Sequence, residues 1–375
     1  MDTPKETRMA RKYRVAVIGR TGKGGYGHGL DVVWKEIPNV EIVAVADPDE
    51  KGRAAAVNRL GAKSGYADYR AMLDKEKPQI VSVADRFLDL HRDMVVACAR
   101  AGASVFLEKP MARTLAEADE MVKACETHHV KLAIAHQTRY SPRLARVKEL
   151  IASGRLGDIL EMRGRGKEDR RGGGEDLMTL GTHLFDLMRF LAGDARWAFA
   201  KILQSGKPVT RGQTRPGGEG MGPIAGDHID AMYGFDKGVT GTFGSHVARH
   251  GIGARFGLAV YGSRGTVTMN TGSLPPVWFC DDPSWNPGKS KTAWQEVTSA
   301  GLGKPETMKA AGLGPGNVWI VKDLLEAIEK DRQPLGSMYD GRAALEMIHA
   351  VYASHRKGGP VELPLAERGH PLAGW

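Results

Sequence analysis

Tyr13-Arg-Val-Ala-Val-Ile18 runs into Gly19-Arg-Thr-Gly-Lys-Gly-Gly-Tyr-Gly-His-Gly29 and then into an apolar, helical stretch from Leu30 to Ile37. Strand, glycine loop, helix is the order in which backbone amides approach a pyrophosphate at a helix N-terminus. Gly22, Gly24 and Gly27 satisfy the G-x-G-x-x-G spacing, but they begin three residues after Gly19, where the strand ends. Gly19, Arg20, Thr21, Gly22 and Gly24 are the candidates for the phosphate-facing loop. A P-loop is excluded, because Lys23 is followed by Gly24 where that motif needs Ser or Thr to hold magnesium.

Outward from this loop, Val40 to Ala46 is a second strand with Asp47 at its end. An acid there hydrogen-bonds the ribose hydroxyls of NAD and repels the extra phosphate of NADP, so NAD is the expected cofactor. Gln79 to Ala84 gives a third strand, Leu90 to Ala101 a helix opened by His91, and 103–107 a further strand. That strand ends in Glu108, Lys109 and the helix-breaking Pro110, which puts an ionisable pair where open α/β sheets bind ligands. Thr114 and Glu117 have capping-box spacing at the start of a helix to Thr127, and Val130 to Ala135 is one more strand. Strands alternating with helices over 13–136 predict a parallel, doubly wound sheet.

After His136 the pattern changes. A helix over 141–153 leads to an alternating strand at 158–167, a glycine turn at 172–174 and a single helix to about Leu191. From 195 to 270 the signals are strands, with hairpin turns at Asp236-Lys-Gly238 and Gly262-Ser-Arg-Gly265. Residues 271–316 show no period and read as an irregular excursion, and two amphipathic helices at 317–330 and 338–355 close the chain. The fold class is thus α/β: a tail at 1–12, with Met1 to Ala10 loose, then a Rossmann dinucleotide-binding domain at 13–136. An α+β domain with an antiparallel sheet is expected at 137–375.

Length and composition agree. A chain of 375 residues with 42% hydrophobic content can fill two cores. No apolar run approaches the roughly 20 residues that cross a bilayer, and no apolar segment follows Arg11 and Lys12, so neither a membrane span nor a secretory signal is expected. Three cysteines, Cys98, Cys125 and Cys280, without CxxC spacing argue against disulfides and zinc ribbons and suit a reducing cytoplasm. The net charge of +9 raises nucleic acid as a partner, but the surplus concentrates at 139–171, ten basic against five acidic residues, with almost no aromatics for base stacking. A basic cleft for a small anionic or polyhydroxylated ligand is the better reading, and Arg163, Arg165, Lys167, Arg170 and Arg171 are expected to select an acidic sugar through bidentate contacts. His246 and His250 stand four apart without the glutamate of a zinc protease, and no metal is expected there.

Taken together, the strand-glycine loop-helix with Asp47, Ala101-Gly102 leading to Glu108-Lys109-Pro110, His136-Gln-Thr-Arg-Tyr-Ser-Pro142, Gly181-Thr-His183-Leu-Phe-Asp186, Asp340-Gly-Arg-Ala-Ala-Leu-Glu346 and Pro360-Val-Glu-Leu-Pro364 resemble the glucose-fructose oxidoreductase, inositol dehydrogenase and MocA (Gfo/Idh/MocA) family over roughly 13–365. The resemblance implies that the second sheet is large, open and mostly antiparallel. It also implies NAD(P)-dependent hydride transfer with a sugar, cyclitol or related polyol, and a homo-oligomer, dimer or tetramer, built through that sheet. It places Lys109 and His183 as catalytic and Pro110 after an often cis peptide bond. Arg86, His91, Glu108 and Gln137 join the cofactor side, with His91 either cofactor-proximal or structural. Arg139, Tyr140, Thr179 and Asp186 fall on the substrate side. It also implies an aspartate one helical turn before His183. Thr179 stands there instead, and on a continuous helix Asp176, Thr179, His183 and Asp186 share a face, so Asp176 is expected to take over part of that role.

The chemistry gives these residue types independent reasons. Oxidising a secondary alcohol needs a base with pKa near the operating pH, which histidine supplies, and an ammonium stabilises the developing alkoxide. Two other functions share the pattern: redox-neutral sugar cleavage or epimerisation through transient oxidation by bound NAD, and a non-catalytic NAD-binding regulator, against which the pair Lys109 and His183 weighs.

Overall fold

The computed structural model describes residues 12–247, 255–309 and 312–375. The tail reading of Met1 to Ala10 and the His250 half of the His246/His250 pair lie outside the described residues. Six strands, β1 Tyr13–Ile18, β2 Val40–Ala46, β3 Ser64–Tyr66, β4 Ile80–Val83, β5 Ser104–Leu107 and β6 Leu132–Ile134, form a parallel sheet in the order β3-β2-β1-β4-β5-β6. The order reverses between β1 and β4, so their carboxyl ends open the crevice that receives ligands in this topology. Both faces are covered, which is why these strands are apolar without alternation. Helices α2 Tyr69–Glu76, α3 His91–Arg100 and α4 Leu115–Thr127 bury one face. Trp34, with Ala56 and Leu60 of α1 Glu50–Leu60 and Ile320, Val321 and Leu324 of the later helix Gly314–Glu329, covers the other.

Where an α-helix is expected after the glycine loop, only a 3₁₀ turn forms, Val32–Glu36. Gly29, in the left-handed region at φ 83°, and Pro38 leave room for eight residues, and the leading pair Val32-Val33 is β-branched. Burial of Val33 and Trp34 fixes the turn instead.

The second sheet has the spatial order Gly301–Leu302, Gln295–Thr298, Val277–Cys280, Thr266–Asn270, Gly257–Gly262, β7 Ile159–Arg165, Thr240–His246, His228–Gly234, β8 Trp197–Gln204 and Val361–Glu362, with Lys207–Pro208 also on β8. Among the described pairs only Thr240–His246 runs parallel to its neighbour β7. The 236–238 hairpin forms as expected, with Lys237 and Gly238 both at positive φ. The 271–316 excursion is corrected: it supplies the last three strands at one end of the second sheet, each only two to four residues long and so too short to show a period.

The expected single helix to Leu191 is also corrected. Beyond α5 Pro142–Ala152 and β7, it is two helices, α6 Gly174–Thr179 and α7 Gly181–Ala192, broken at Leu180. Helix α7 packs on the inner face of the second sheet, where the missing side chain of Gly164 leaves room for Met188. Helix Met338–Lys357 covers β8 on the same face and also reaches α4. No described helix is long and apolar enough to cross a membrane.

Candidate active site

The turn after β5 delivers the first pair. Glu108 is buried, and its Oε1 lies 2.9 Å from His28 Nδ1 and 3.6 Å from Lys109 Nζ. Burial works to raise the Glu108 pKa, but the His28 hydrogen bond and the Lys109 charge outweigh it and hold the carboxyl down to about 2. The Lys109–Pro110 peptide is cis. Lys109 Nζ donates to the Thr179 carbonyl at 3.4 Å. That acceptor exists because of the break at Leu180: the His183 amide bonds Leu180 O at 3.1 Å instead of continuing the ladder to Thr179 O.

His183 opens α7 beside Lys109. Its ring stands edge-on to His136 at 5.4 Å and to Phe256 at 6.2 Å. Burial, then the positive charge of Lys109 and the neighbouring His136, push its pKa well below the usual histidine range, so the imidazole is neutral. His136 is held by Thr182 Oγ1 at 3.0 Å and Asp186 Oδ1 at 3.2 Å. The arrangement sets a neutral imidazole beside a fixed ammonium between the two sheets.

Several expected site residues are engaged elsewhere. Asp186 receives Arg139 on both oxygens at 3.0 Å from Nε, and Arg139 also stacks on Phe190 and reaches Asp340. Desolvation would raise the Asp186 pKa, yet Arg139 and His136 hold it below the carboxylate range. The two are a buried brace behind His136. Tyr140 donates to Asp323 and accepts from Gly336 N. The Thr179 hydroxyl is turned back to Glu175 O at 2.8 Å.

Asp176 does not share the His183 face, since α6 and α7 are separate. Its oxygens accept from Lys167 N, Glu168 N and Ser245 Oγ, which makes it an anchor for the 167–168 turn. Arg163 and Arg165 point from β7 to the outer face of the second sheet, opposite α7, because Met162 and Gly164 take the inner positions. They pair with Glu161 and Glu168, and Arg171 pairs with Asp169, so the basic cluster is a surface lattice and not a wall of the His183 site.

On the cofactor side the residue types fit a dinucleotide, but the loop conformation covers its track. Asp47 stands at the tip of β2, buried, with Oδ2 accepting from Thr21 N at 3.0 Å, Thr21 Oγ1 at 2.7 Å and Tyr26 OH at 2.8 Å, and Oδ1 from Asp49 N. The Tyr26 ring lies on Gly19, where any side chain would collide with it. Arg20 is tied to Asp85 and Asp89 beside Phe87, and Arg86 packs on Gly24 and pairs with Glu219, so neither offers a free guanidinium to a phosphate. Gly22 has open space around it. Asp47 and the amides of Gly22 and Gly24 would hold the cofactor once Tyr26 turns aside; those of Arg20, Thr21, Lys23 and Gly25 are bonded within the loop or to Asp47.

Gln137 donates to Asn317, and Asn317 donates to His28 O, tying β6 to the glycine loop. His91 is a brace: its Nε2 meets Asp85 O at 2.7 Å and its Nδ1 lies near the Pro110 and Met111 carbonyls, joining the β4 tip to the cis-proline turn. Sequence reasoning missed His28, Tyr26, Asn317 and His136. Only His28 and His136 carried a signal, one inside the glycine loop and one opening a quoted motif.

Comparison with known proteins accords with this geometry. Residues 13–136 match the model of the oxidoreductase family with an NAD-binding Rossmann fold, and residues 144–268 match the GFO/IDH/MocA C-terminal domain. Levoglucosan dehydrogenase of Pseudarthrobacter phenanthrenivorans is 26% identical over 88% of this chain and 90% of its own length. D-apiose dehydrogenase of Paraburkholderia graminis is 26% identical over 97% and 93%. A solved levoglucosan dehydrogenase, in complex with NADH and L-sorbose, superposes with TM-score 0.76 at 21% identity, covering 94% of this chain and 99% of that one. The chain belongs to the Gfo/Idh/MocA family of oxidoreductases and carries that family's NAD-binding Rossmann domain.

Proposed function

We propose that the chain is an NAD-dependent dehydrogenase that moves hydride between a nicotinamide and the hydroxyl or ketone carbon of a sugar, cyclitol or sugar acid. The observation that carries this is the convergence of Lys109 and His183 from two domains, with His183 held neutral by burial and by the Lys109 charge. His183 would take the hydroxyl proton, and Lys109 would stabilise the oxygen as it becomes an alkoxide. NAD, when bound, supplies the hydride acceptor. Glu108 and the Thr179 carbonyl keep the ammonium aimed, and the brace of Asp186 and Arg139 keeps His136 packed against the base. Relatives named for levoglucosan, D-apiose and inositol support a cyclic polyol as substrate. NAD over NADP follows from the Asp47 carboxylate; the nearby Arg53 is bound to Asp47 O.

A panel of sugars, cyclitols and sugar acids assayed for NADH formation tests the reading. NADH accumulating with a member of the panel, and lost in His183→Asn, supports it. Product without NADH overturns it.

A reducing cytoplasm suits the three free, buried cysteines, with burial pushing Cys125 up to about 12. The second sheet's outer face carries Phe199, Met232 and Trp278, large and exposed, on one cross-strand row through Thr242, Arg163, Ala259 and Thr268. A second copy of the chain is the proposed partner for that row, as a dimer or tetramer. Light scattering is expected to show the oligomer and its loss in Met232→Glu; a monomeric parent would refute it.

A further inference from the structure

Sequence spacing pairs His246 with His250, but sheet register pairs it with His228. The two face each other directly across antiparallel strands, and Asp230 follows His228 by two residues on the same outer face. The imidazole rings are 3.4 Å apart by centroid. Both Nε2 atoms turn to one carboxylate: His228 Nε2 is 2.7 Å from Asp230 Oδ2, and His246 Nε2 is 3.6 Å from Oδ1. One ligand atom from each residue lies within 4.8 Å of the others.

We infer that His228, Asp230 and His246 form a site for a divalent transition ion of the zinc type. Bonds of about 2.0–2.2 Å from one ion to imidazole nitrogen and carboxylate oxygen hold such ligands at roughly these separations. His246 Nε2 is shielded from solvent and has no hydrogen-bond partner of good geometry, a state that buried polar atoms rarely keep without a ligand.

Three cations surround the site. Arg165 is paired with Glu168, Arg255 lies 3.4 Å from the same carboxylate, and Lys201 stands opposite Asp230 on β8. Two imidazoles and one carboxylate select zinc, cobalt or nickel over magnesium or calcium. Water would complete the coordination from the side of Asp230, whose side chain is exposed.

The site would rivet the strand ends on which the 172–174 turn rests. Gly172 lies against the His246 and Val247 backbone, Gly173 N donates to Ser245 Oγ, and from this turn the chain enters α6 and then His183. The ion's role is therefore to stabilise this end of the sheet, independently of NAD.

The test uses the full chain, purified without a polyhistidine tag and stripped by chelator. Cobalt titration read by visible d–d absorption is expected to saturate at one ion per chain, with zinc displacing it and raising the thermal unfolding midpoint. His228→Gln and His246→Gln should each abolish the absorption and the zinc-dependent shift, whereas His183→Asn keeps both. Asp230→Asn, at an exposed position, should weaken binding at least tenfold and serves if a histidine variant misfolds. Absence of saturable uptake by the parent, uptake unchanged in the double histidine variant, or an equal response to magnesium would overturn the assignment.

Discussion

Lys109 is the residue on which the site's electrostatics turn. Its ammonium lies between Glu108 and the Thr179 carbonyl and, after burial, is the largest cause of the low His183 pKa. A base already neutral well below 6.5 keeps its activity as the pH falls through that value, so the acidic limb of the turnover profile for alcohol oxidation is expected far to the acid side. Lys109→Met should lower turnover about a hundredfold, the scale of a lost oxyanion partner, and move that limb to higher pH while NAD affinity holds. A limb that stays put would show that His183 does not feel the lysine charge. Tyr26 carries the second residue-scale prediction. If Asp47 takes the cofactor ribose as proposed, the Tyr26 hydroxyl would compete for it, and a hydrogen bond to a charged acceptor contributes about 1.5–3 kcal/mol, so Tyr26→Phe is expected to tighten NAD binding by at least roughly tenfold in calorimetry. Weaker binding would mean that the phenol serves the cofactor rather than displacing it. Asp47 was legible because strand and acid are adjacent in sequence. Tyr26 was not, for nothing local says that a loop side chain folds back over Gly19, and His28 finds Glu108 only across the sheet.

At the scale of elements, apolar runs located β1, β2, β4, β5 and β6, and turn residues located both hairpins, because each strand's burial is written in its own residues. The break between α6 and α7 escaped it. The apolar spacing runs on through Leu180, and the break is set by tertiary partners, with Gly181 against Phe185 and Phe243 and the freed Thr179 carbonyl taken by Lys109. The capping box at α4 was half legible in the same sense: Thr114 accepts from Glu117 N, but the Glu117 carboxylate goes to Arg113 N instead of Thr114 N. The broken helix changes the expectation for Asp176. Burial raises its pKa, and its hydrogen bonds to Ser245 and to the Glu168 and Lys167 amides partly offset this. Asp176→Asn replaces one acceptor oxygen with a donor facing those groups, which costs about 1–3 kcal/mol. Urea unfolding should register that loss while the pH dependence of turnover keeps its shape; a shifted profile would return Asp176 to the chemistry.

The whole molecule is closed by chain that comes late in the sequence. Helix Gly314–Glu329 completes the first sheet, and helix Met338–Lys357 joins the second sheet to α4, so the two halves share one buried cluster. That helix carries His349, fully buried, its Nε2 3.1 Å from Arg113 O and its ring 5.1 Å from His370 of the terminal segment. Burial, then His370, depresses the His349 pKa to about 3, and burial depresses His370 to about 4. A histidine with a depressed folded pKa takes up its proton in the unfolded chain first. Its contribution is therefore intact above about 6.5, the unfolded value, and is lost as the pH falls from there toward about 3. For His349 the slope is about 1.4 kcal/mol per pH unit inside that window. Glu108, held at about 2, loses stability in the same direction but only below the ordinary carboxylate range, so the interval from about pH 7 to 5 isolates the histidines. His183, His355 and His370 add to the same slope, and a substitution separates them. His349→Gln keeps a donor for Arg113 O and cannot titrate. Its urea-unfolding free energy is expected to fall less steeply than the parent's between pH 6.5 and 5, by about 1.4 kcal/mol per unit, and identical slopes would show that the buried His349 does not couple folding to protons.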